Sequence, residues 1–377
     1  MMQLSQPDHA RREGESILLK WQDGHTSRMV LDWLRDNCTC STCRHANGQK
    51  LFNIHELPET LGVMEVNCDG QGLHISWSDG HRSFYSTRWL QEHDLNPGAR
   101  AERVKRRQSR HTWNASNGQN YPRCAWSALN QDQDAEQRWL TGFHQWGFGV
   151  LTQVPLTSGA VATVGERLGH VRVTNYGRLF DVRSVPDPNN LADTALGLSV
   201  HSDNPYRHPS PGVQLLHCLM ADAPGGDTLL VDGFSCAEQL RNTDAEAFAL
   251  LSTWPMLFRY RSASVDLKAR QTLITVDAEG SITAVHFNNR SSFFLDIPED
   301  LAAKWYRAYR TFAHLLNLES NTLVLHLHPG DCIVMQNDRT LHGRTAFDPN
   351  RGARLLQGCY IDIDAMRSRS AVLDTLL

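Results

Sequence analysis

The run His201-Ser202-Asp203 and the much later His342, in Leu341-His342-Gly343-Arg344, bring together residue types suited to metal-based oxidation. Two imidazoles and one carboxylate can occupy one face of an Fe(II) ion and leave three positions open for a co-substrate and oxygen. In a chain with 18 histidines a His-x-Asp pair carries little weight alone. The residues after His342 strengthen it. Arg354 stands in Ala353-Arg354-Leu355-Leu356, on an otherwise apolar run a short loop beyond the histidine. A guanidinium there can make a two-pronged pair with a carboxylate whose other end chelates the iron, which is what 2-oxoglutarate requires. Together these four residues imply an Fe(II)- and 2-oxoglutarate-dependent oxygenase.

A second metal-binding set lies near the start, in Cys38-Thr39-Cys40-Ser41-Thr42-Cys43. Three thiolates so close favour tetrahedral zinc and need a fourth ligand, usually a histidine. The first hundred residues repeat themselves: Trp21-Gln22-Asp23-Gly24-His25 leads to Trp33-Leu34, and Trp77-Ser78-Asp79-Gly80-His81 leads to Trp89-Leu90. His25 and His81 are therefore equivalent candidates, and spacing does not choose between them. His45 and His74 are more remote alternatives. A closed four-ligand site would be structural. The remaining six of nine cysteines read as small buried hydrophobes, and an odd total does not suit a disulfide framework.

The elements that must position these residues fall into two regions. Each half of the repeat, an apolar alternation around an Asp-Gly turn, reads as a hairpin, which gives a small zinc-binding β-rich module over residues 1–95. Residues 96–124 are polar, basic and turn-rich and read as a linker or wrapping arm. From 125 to 377 the pattern is mainly β with helices. Helices are expected over residues 135–146 and 298–316. Strands are expected over 147–152, 213–218, 227–231, 281–288, 322–327, 331–336 and 355–361. Many short strands punctuated by turns such as Pro224-Gly225-Gly226-Asp227 suggest a double-stranded β-helix, or jelly-roll, in which positions 201, 203 and 342 can converge.

A formal charge of -4 with 37 basic and 41 acidic residues offers no basic stripe for nucleic acid. No apolar run approaches the roughly 18–20 residues that span a bilayer, and MMQLSQPDHARREGES has no apolar signal core. A soluble, cytoplasmic protein acting on a small molecule is the expectation.

These pieces together resemble the γ-butyrobetaine dioxygenase and trimethyllysine dioxygenase family of Fe(II)/2-oxoglutarate oxygenases. The resemblance runs through Trp33-Leu34-Arg35-Asp36-Asn37-Cys38, Pro211-Gly212-Val213-Gln214-Leu215-Leu216-His217-Cys218, Gly225-Gly226-Asp227 and Leu341-His342-Gly343-Arg344. It implies iron on His201, Asp203 and His342, the distal 2-oxoglutarate carboxylate on Arg354 with Thr228 as a further contact, His81 as the fourth zinc ligand, and a homodimer. It also implies a trimethylammonium substrate, held by an aromatic cage to which Tyr176 and Phe180 correspond. Asp193 and Asn204 depart from that pattern, since the family shows tyrosine at the first position and commonly tyrosine or leucine at the second. At the anionic end, Asn289 and Arg290 match a segment that contacts the substrate carboxylate, and Tyr206 adds a hydroxyl. A guanidinium at 290 suits a tetrahedral dianion, so the expected substrate is 2-(trimethylamino)ethylphosphonate, hydroxylated beside phosphorus. The alternatives are hydroxylation of γ-butyrobetaine to L-carnitine and a non-catalytic binding protein with a vestigial triad.

Overall fold

The computed structural model describes residues 5–375 apart from 109, 118–119 and 184–193. The chain divides into two compact units, residues 1–109 and 110–377.

The first unit is built from two copies of one design. Strands Pro7–Glu13, Ser16–Trp21 and Thr26–Val30 form an antiparallel sheet followed by the helix Leu31–Asp36. Strands Val63–Asp69, Gly72–Trp77 and Arg82–Ser86 form the second, followed by the helix Thr87–Glu92. Alternate residues of the middle strands, Ile17, Leu19 and Trp21 in one and Leu73, Ile75 and Trp77 in the other, enter a shared core, as the two-residue period of a strand dictates. The indole N–H of Trp21 donates to Ser27 Oγ at 2.7 Å, and that of Trp77 to Ser83 Oγ at 2.8 Å. The expected hairpins are thus three-stranded, and the Trp-Leu pairs lie in the helices instead of closing the strands. In the expected linker, Pro97–Gln108 is a helix. Its few apolar residues give no stripe from which a helix could be read.

The second unit is a double-stranded β-helix. Its larger sheet runs, in spatial order, Arg123–Ala125, Phe148–Thr152, Cys332–Gln336, Val213–Ala221, Arg354–Ile361 and Phe180–Val182. The smaller runs Leu198–His201, Thr340–Arg344, Thr228–Asp232 and Thr322–Leu325. Along Val213–Ala221 the faces alternate. Val213 and Leu215 join Trp139, Phe143, Val161 and Met366 in a helical layer, while Leu216 and Cys218 meet Leu230, Leu323 and Leu325 of the smaller sheet. The smaller sheet's other face, through Val200, Val231 and Leu341, packs on three helices, Gly233–Thr243, Ala245–Thr253 and Glu299–Leu316.

The helix expected over 135–146 spans Gln133–Trp146. Asp132 caps its N-terminus and Gly147 ends it at φ 77°, a left-handed conformation that glycine adopts readily. Of the strand expected over 281–288 only Ile282–Val285 is paired. No helix among the described residues is long and apolar enough to cross a membrane.

Candidate active site

The sheet topology brings the triad together. His201 ends the strand Leu198–His201 and stands directly across from His342 on Thr340–Arg344, with ring centroids 4.4 Å apart. Asp203 lies in the turn that follows and is pinned through its backbone: its N–H donates to Asn337 Oδ1 at 2.7 Å, and Asn337 Nδ2 donates back to the Asp203 carbonyl at 2.9 Å. His201 Nε2 and His342 Nε2 face Asp203 Oδ1 at 3.4 and 4.0 Å. The other His201 nitrogen, Nδ1, is 2.9 Å from the Ser199 carbonyl, so a proton held there leaves Nε2 free as a ligand.

Burial, then the neighbouring His201, pushes His342 down to about 3, so its imidazole is neutral at physiological pH. Burial opposes ionisation of Asp203. The opposing effects of His342, His201 and Tyr360 outweigh it and keep the carboxyl below its ordinary value. All three ligand atoms lie within 4.8 Å of one another. Two imidazoles and one carboxylate converging in this way fit Fe(II).

The carboxylate's other oxygen is also engaged. Asp203 Oδ2 accepts from Gln214 Nε2 at 2.6 Å and from the Tyr360 hydroxyl at 2.7 Å. Burial and the adjacent carboxylate push the Tyr360 phenol well above its ordinary value, so it remains a donor.

The triad opens into a cavity of about 610 Å³. At one side Arg354 Nε and Nη2 donate to the Gly226 carbonyl at 3.2 and 2.9 Å, while Nη1 is buried with no partner among the described residues. Gly226 sits at φ +73°, and a Cβ there would lie 2.5 Å from Arg354 Nε. Thr228 also lines the cavity. An orphaned, buried guanidinium N–H facing a metal triad fits a carboxylate of 2-oxoglutarate.

Tyr176, Phe180, Asn204, Tyr206 and Arg290 all line the same cavity. Asn204 takes the left-handed conformation at φ 53°. Its Oδ1 accepts from the Tyr206 hydroxyl at 2.5 Å, whose oxygen lies 2.8 Å from that of Tyr176. With the Tyr206 proton on Asn204, Tyr176 is the donor to Tyr206. The Asn204 Nδ2 is buried with no partner among the described residues. Arg290 makes no side-chain hydrogen bond or ion pair with another described residue, and its charge is felt at Asp203 and His342. Asn289 is placed elsewhere: its Oδ1 accepts from Tyr309 at 3.0 Å. Asn288 takes the cavity position, held where its Nδ2 donates to the Ser202 carbonyl at 3.1 Å and its Oδ1 accepts from the Arg290 N–H at 3.2 Å. Asp193 lies outside the described residues.

Among the cavity residues to which the sequence assigned no role, three shape the site. Tyr260 stacks on Tyr206 at 5.3 Å and meets Tyr176 edge-on at 5.7 Å, completing an aromatic wall. Such a wall attracts a cation without hydrogen-bonding it. Gln214 and Tyr360 are the other two. Tyr360 is six residues from Arg354 on one strand and shares its face, so parity would have found it; nothing in the sequence marks Tyr260.

In the first unit, Cys38, Cys40, Cys43 and His81 form a cluster able to chelate a metal. His81 Nε2 lies 3.3, 3.6 and 3.5 Å from the three sulfurs. His25 instead stacks on Trp21 and pairs with Asp23. His45 accepts from the Asn47 N–H, and His74 packs on Phe84. Arg35 donates to Cys43 Sγ at 3.3 Å and to Asp79 at 2.9 Å, offsetting the charge of clustered thiolates.

Comparison with known proteins bears on both units. Residues 105–360 match the model of the taurine catabolism dioxygenase TauD, TfdA family, and residues 9–91 that of the γ-butyrobetaine hydroxylase-like N-terminal region. The chain is 36% identical over 363 residues to γ-butyrobetaine dioxygenase of Pseudomonas sp. (strain AK-1), covering 95% of this chain and 93% of the relative. It is 31% identical to γ-butyrobetaine dioxygenase of Homo sapiens, over 94% and 93% of the two chains. It is 29% identical to trimethyllysine dioxygenase of Meyerozyma guilliermondii, over 96% and 94%. Among solved structures, a putative α-ketoglutarate-dependent taurine dioxygenase from Burkholderia xenovorans superposes with a TM-score of 0.50 at 14% identity, over 67% of this chain and 91% of that one, which speaks for the fold alone.

Proposed function

The chain belongs to the TauD, TfdA family of dioxygenases, and on that premise we propose that it hydroxylates a small quaternary-ammonium zwitterion. It is an Fe(II)- and 2-oxoglutarate-dependent dioxygenase, with His201, Asp203 and His342 as the iron-binding residues. Bound there with 2-oxoglutarate, iron supplies oxygen activation, with release of succinate and CO2 and transfer of a hydroxyl to an unactivated carbon. The chain's own residues set the pose. Arg354, with Thr228 beside it, takes the far carboxylate of 2-oxoglutarate. The wall of Tyr176, Tyr206 and Tyr260, with Phe180 nearby, takes the trimethylammonium group. Arg290 takes the anionic end, and Asn204 holds the Tyr206 hydroxyl of the wall in place. In the first unit, the Cys3His cluster holds a structural zinc. As in the family the sequence resembles, the enzyme works as a homodimer, which light scattering in solution tests.

The observation that carries the reading is the continuous cavity joining the triad, the tyrosine wall and an unpaired guanidinium. The relatives favour γ-butyrobetaine as the substrate, with L-carnitine as product, over the phosphonate expected from the sequence. One observation keeps the phosphonate as a second reading: Arg290 lines the cavity with its guanidinium donors in no side-chain hydrogen bond or ion pair among the described residues, and a fixed fork of donors suits a tetrahedral dianion. Measurement of kcat/KM for γ-butyrobetaine and for 2-(trimethylamino)ethylphosphonate, in wild type and Arg290→Ala, separates the two. A wild-type preference for γ-butyrobetaine assigns the carboxylate. A preference for the phosphonate that collapses roughly 10- to 100-fold in Arg290→Ala, the loss expected for a charge-assisted contact, assigns the dianion. Turnover of neither, with succinate formed only from another substrate class, overturns the proposal.

A further inference from the structure

We propose that Gln214 and Tyr360 are positioning residues that keep Asp203 a one-oxygen ligand, and that Tyr360 ties this arrangement to the substrate wall of the cavity. Gln214 on Val213–Ala221 and Tyr360 on Arg354–Ile361 are directly opposed across adjacent antiparallel strands. Both face inward by the same alternation that sends Leu216 and Leu356 between the sheets. Their donors meet at one atom, Asp203 Oδ2, at 2.6 and 2.7 Å. A carboxylate oxygen with two lone-pair sites is filled by two such bonds. Chelation through both oxygens would have to break both, so Oδ1, the atom facing the two imidazoles, is the one left for a metal. Asn337 holds the Asp203 backbone separately, so side chain and main chain are each restrained.

Tyr360 has a second neighbour. Its ring centroid lies 5.1 Å from that of Phe180, and both rings line the cavity. A molecule seated against Phe180 therefore presses on a ring whose hydroxyl orients the carboxylate ligand. Gln214 lines the cavity too but carries no ring to pack on Phe180, and its Oε1 is buried without a partner among the described residues. The two donors are thus equivalent toward the metal and unequal toward the substrate.

Tyr360→Phe and Gln214→Leu separate these roles. Fe(II) affinity, measured without oxygen against a chromogenic chelator, is expected to weaken roughly 10- to 100-fold in each, the range for partners that orient metal ligands. The visible spectrum of the Co(II)-loaded variants should shift with the changed carboxylate. With any substrate that turns over, Tyr360→Phe should yield less hydroxylated product than succinate, while Gln214→Leu keeps the two closer to parity. Metal affinity and the Co(II) spectrum need no substrate, so their outcome is independent of the substrate assignment. Folded variants with wild-type Fe(II) affinity and an unaltered Co(II) spectrum overturn the positioning role. A product-to-succinate ratio of one in Tyr360→Phe overturns the tie to the substrate wall. If Gln214→Leu does not fold, Tyr360→Phe, which removes one oxygen, decides alone.

Discussion

Arg354 spends two of its donors on the Gly226 carbonyl and keeps a third, buried and unpaired. Replacing it with lysine keeps the charge and loses the fork, so the apparent KM for 2-oxoglutarate should rise by about 1.5–3 kcal/mol, roughly 10- to 100-fold, with Fe(II) affinity unchanged. Titrating succinate formation against 2-oxoglutarate checks this, and an unchanged KM moves the role to another residue. Alanine at His201, Asp203 or His342 should abolish succinate production while the melting temperature stays near that of wild type, because an open metal site serves the reaction more than the fold. The triad was legible because its residue types admit few other uses in that company. Asn289 and Asn288 could not be told apart, since they are neighbours in a turn beyond the strand Ile282–Val285 where no periodicity fixes side-chain direction, and Tyr260 carried no signal because its partners Tyr176 and Tyr206 lie in turns far away in the sequence.

Among the elements, the helix Gln133–Trp146 illustrates how charge joins pieces that hydrophobic pattern alone would leave loosely specified. Glu136 is almost fully buried and accepts from Arg167 at 2.7 Å, on the helix Ala160–Leu168, and from Arg369 at 2.9 and 2.7 Å, on the helix Ile363–Thr375. Burial alone would raise this carboxyl, but the hydrogen bonds from Arg369 and Arg167 bring it down to about 2. A group whose value is depressed on folding stabilises the fold above its unfolded value, near 4.5, and loses that contribution as pH falls toward 2. Glu136→Gln should therefore cost about 1–3 kcal/mol at pH 7. The gap in melting temperature from wild type should narrow steadily as pH drops from 5 to 3, and a constant gap would show that the pair carries no net charge stabilisation. The helices Gln133–Trp146 and Glu299–Leu316 and most central strands were legible from apolar spacing. Pro97–Gln108 was not, because its surface offers almost no apolar period.

For the molecule as a whole, the tandem repeat in the first unit gives the two metal questions separate answers. His81→Ala should lose the metal held by the three thiolates, whereas His25→Ala, whose ring packs on Trp21, should retain one zinc per chain by elemental analysis. Loss from the His25 variant alone would reverse the choice. Stripping that metal with a chelator should abolish the cooperative melting of the first unit and leave that of residues 110–377 in place, because small metal-clustered modules fold with their metal. The repeat announced a β-rich metal module and the late strands announced a jelly-roll. The convergence of positions 201, 203 and 342 required the strand order itself, which no local pattern encodes.

Gly226 touches no metal ligand through a side chain, yet its backbone oxygen and missing Cβ are what allow Arg354 to lie where it does. In a saturation mutagenesis screen scored for activity, position 226 should tolerate as little as the triad, while protein abundance stays high for the smaller substitutions. A survey that ranks variants by distance from the reacting atoms would file such losses under misfolding. Plotting activity against abundance would show Gly226→Ala leaving the common trend alongside Arg354 variants, which marks the turn and the guanidinium as one inherited unit.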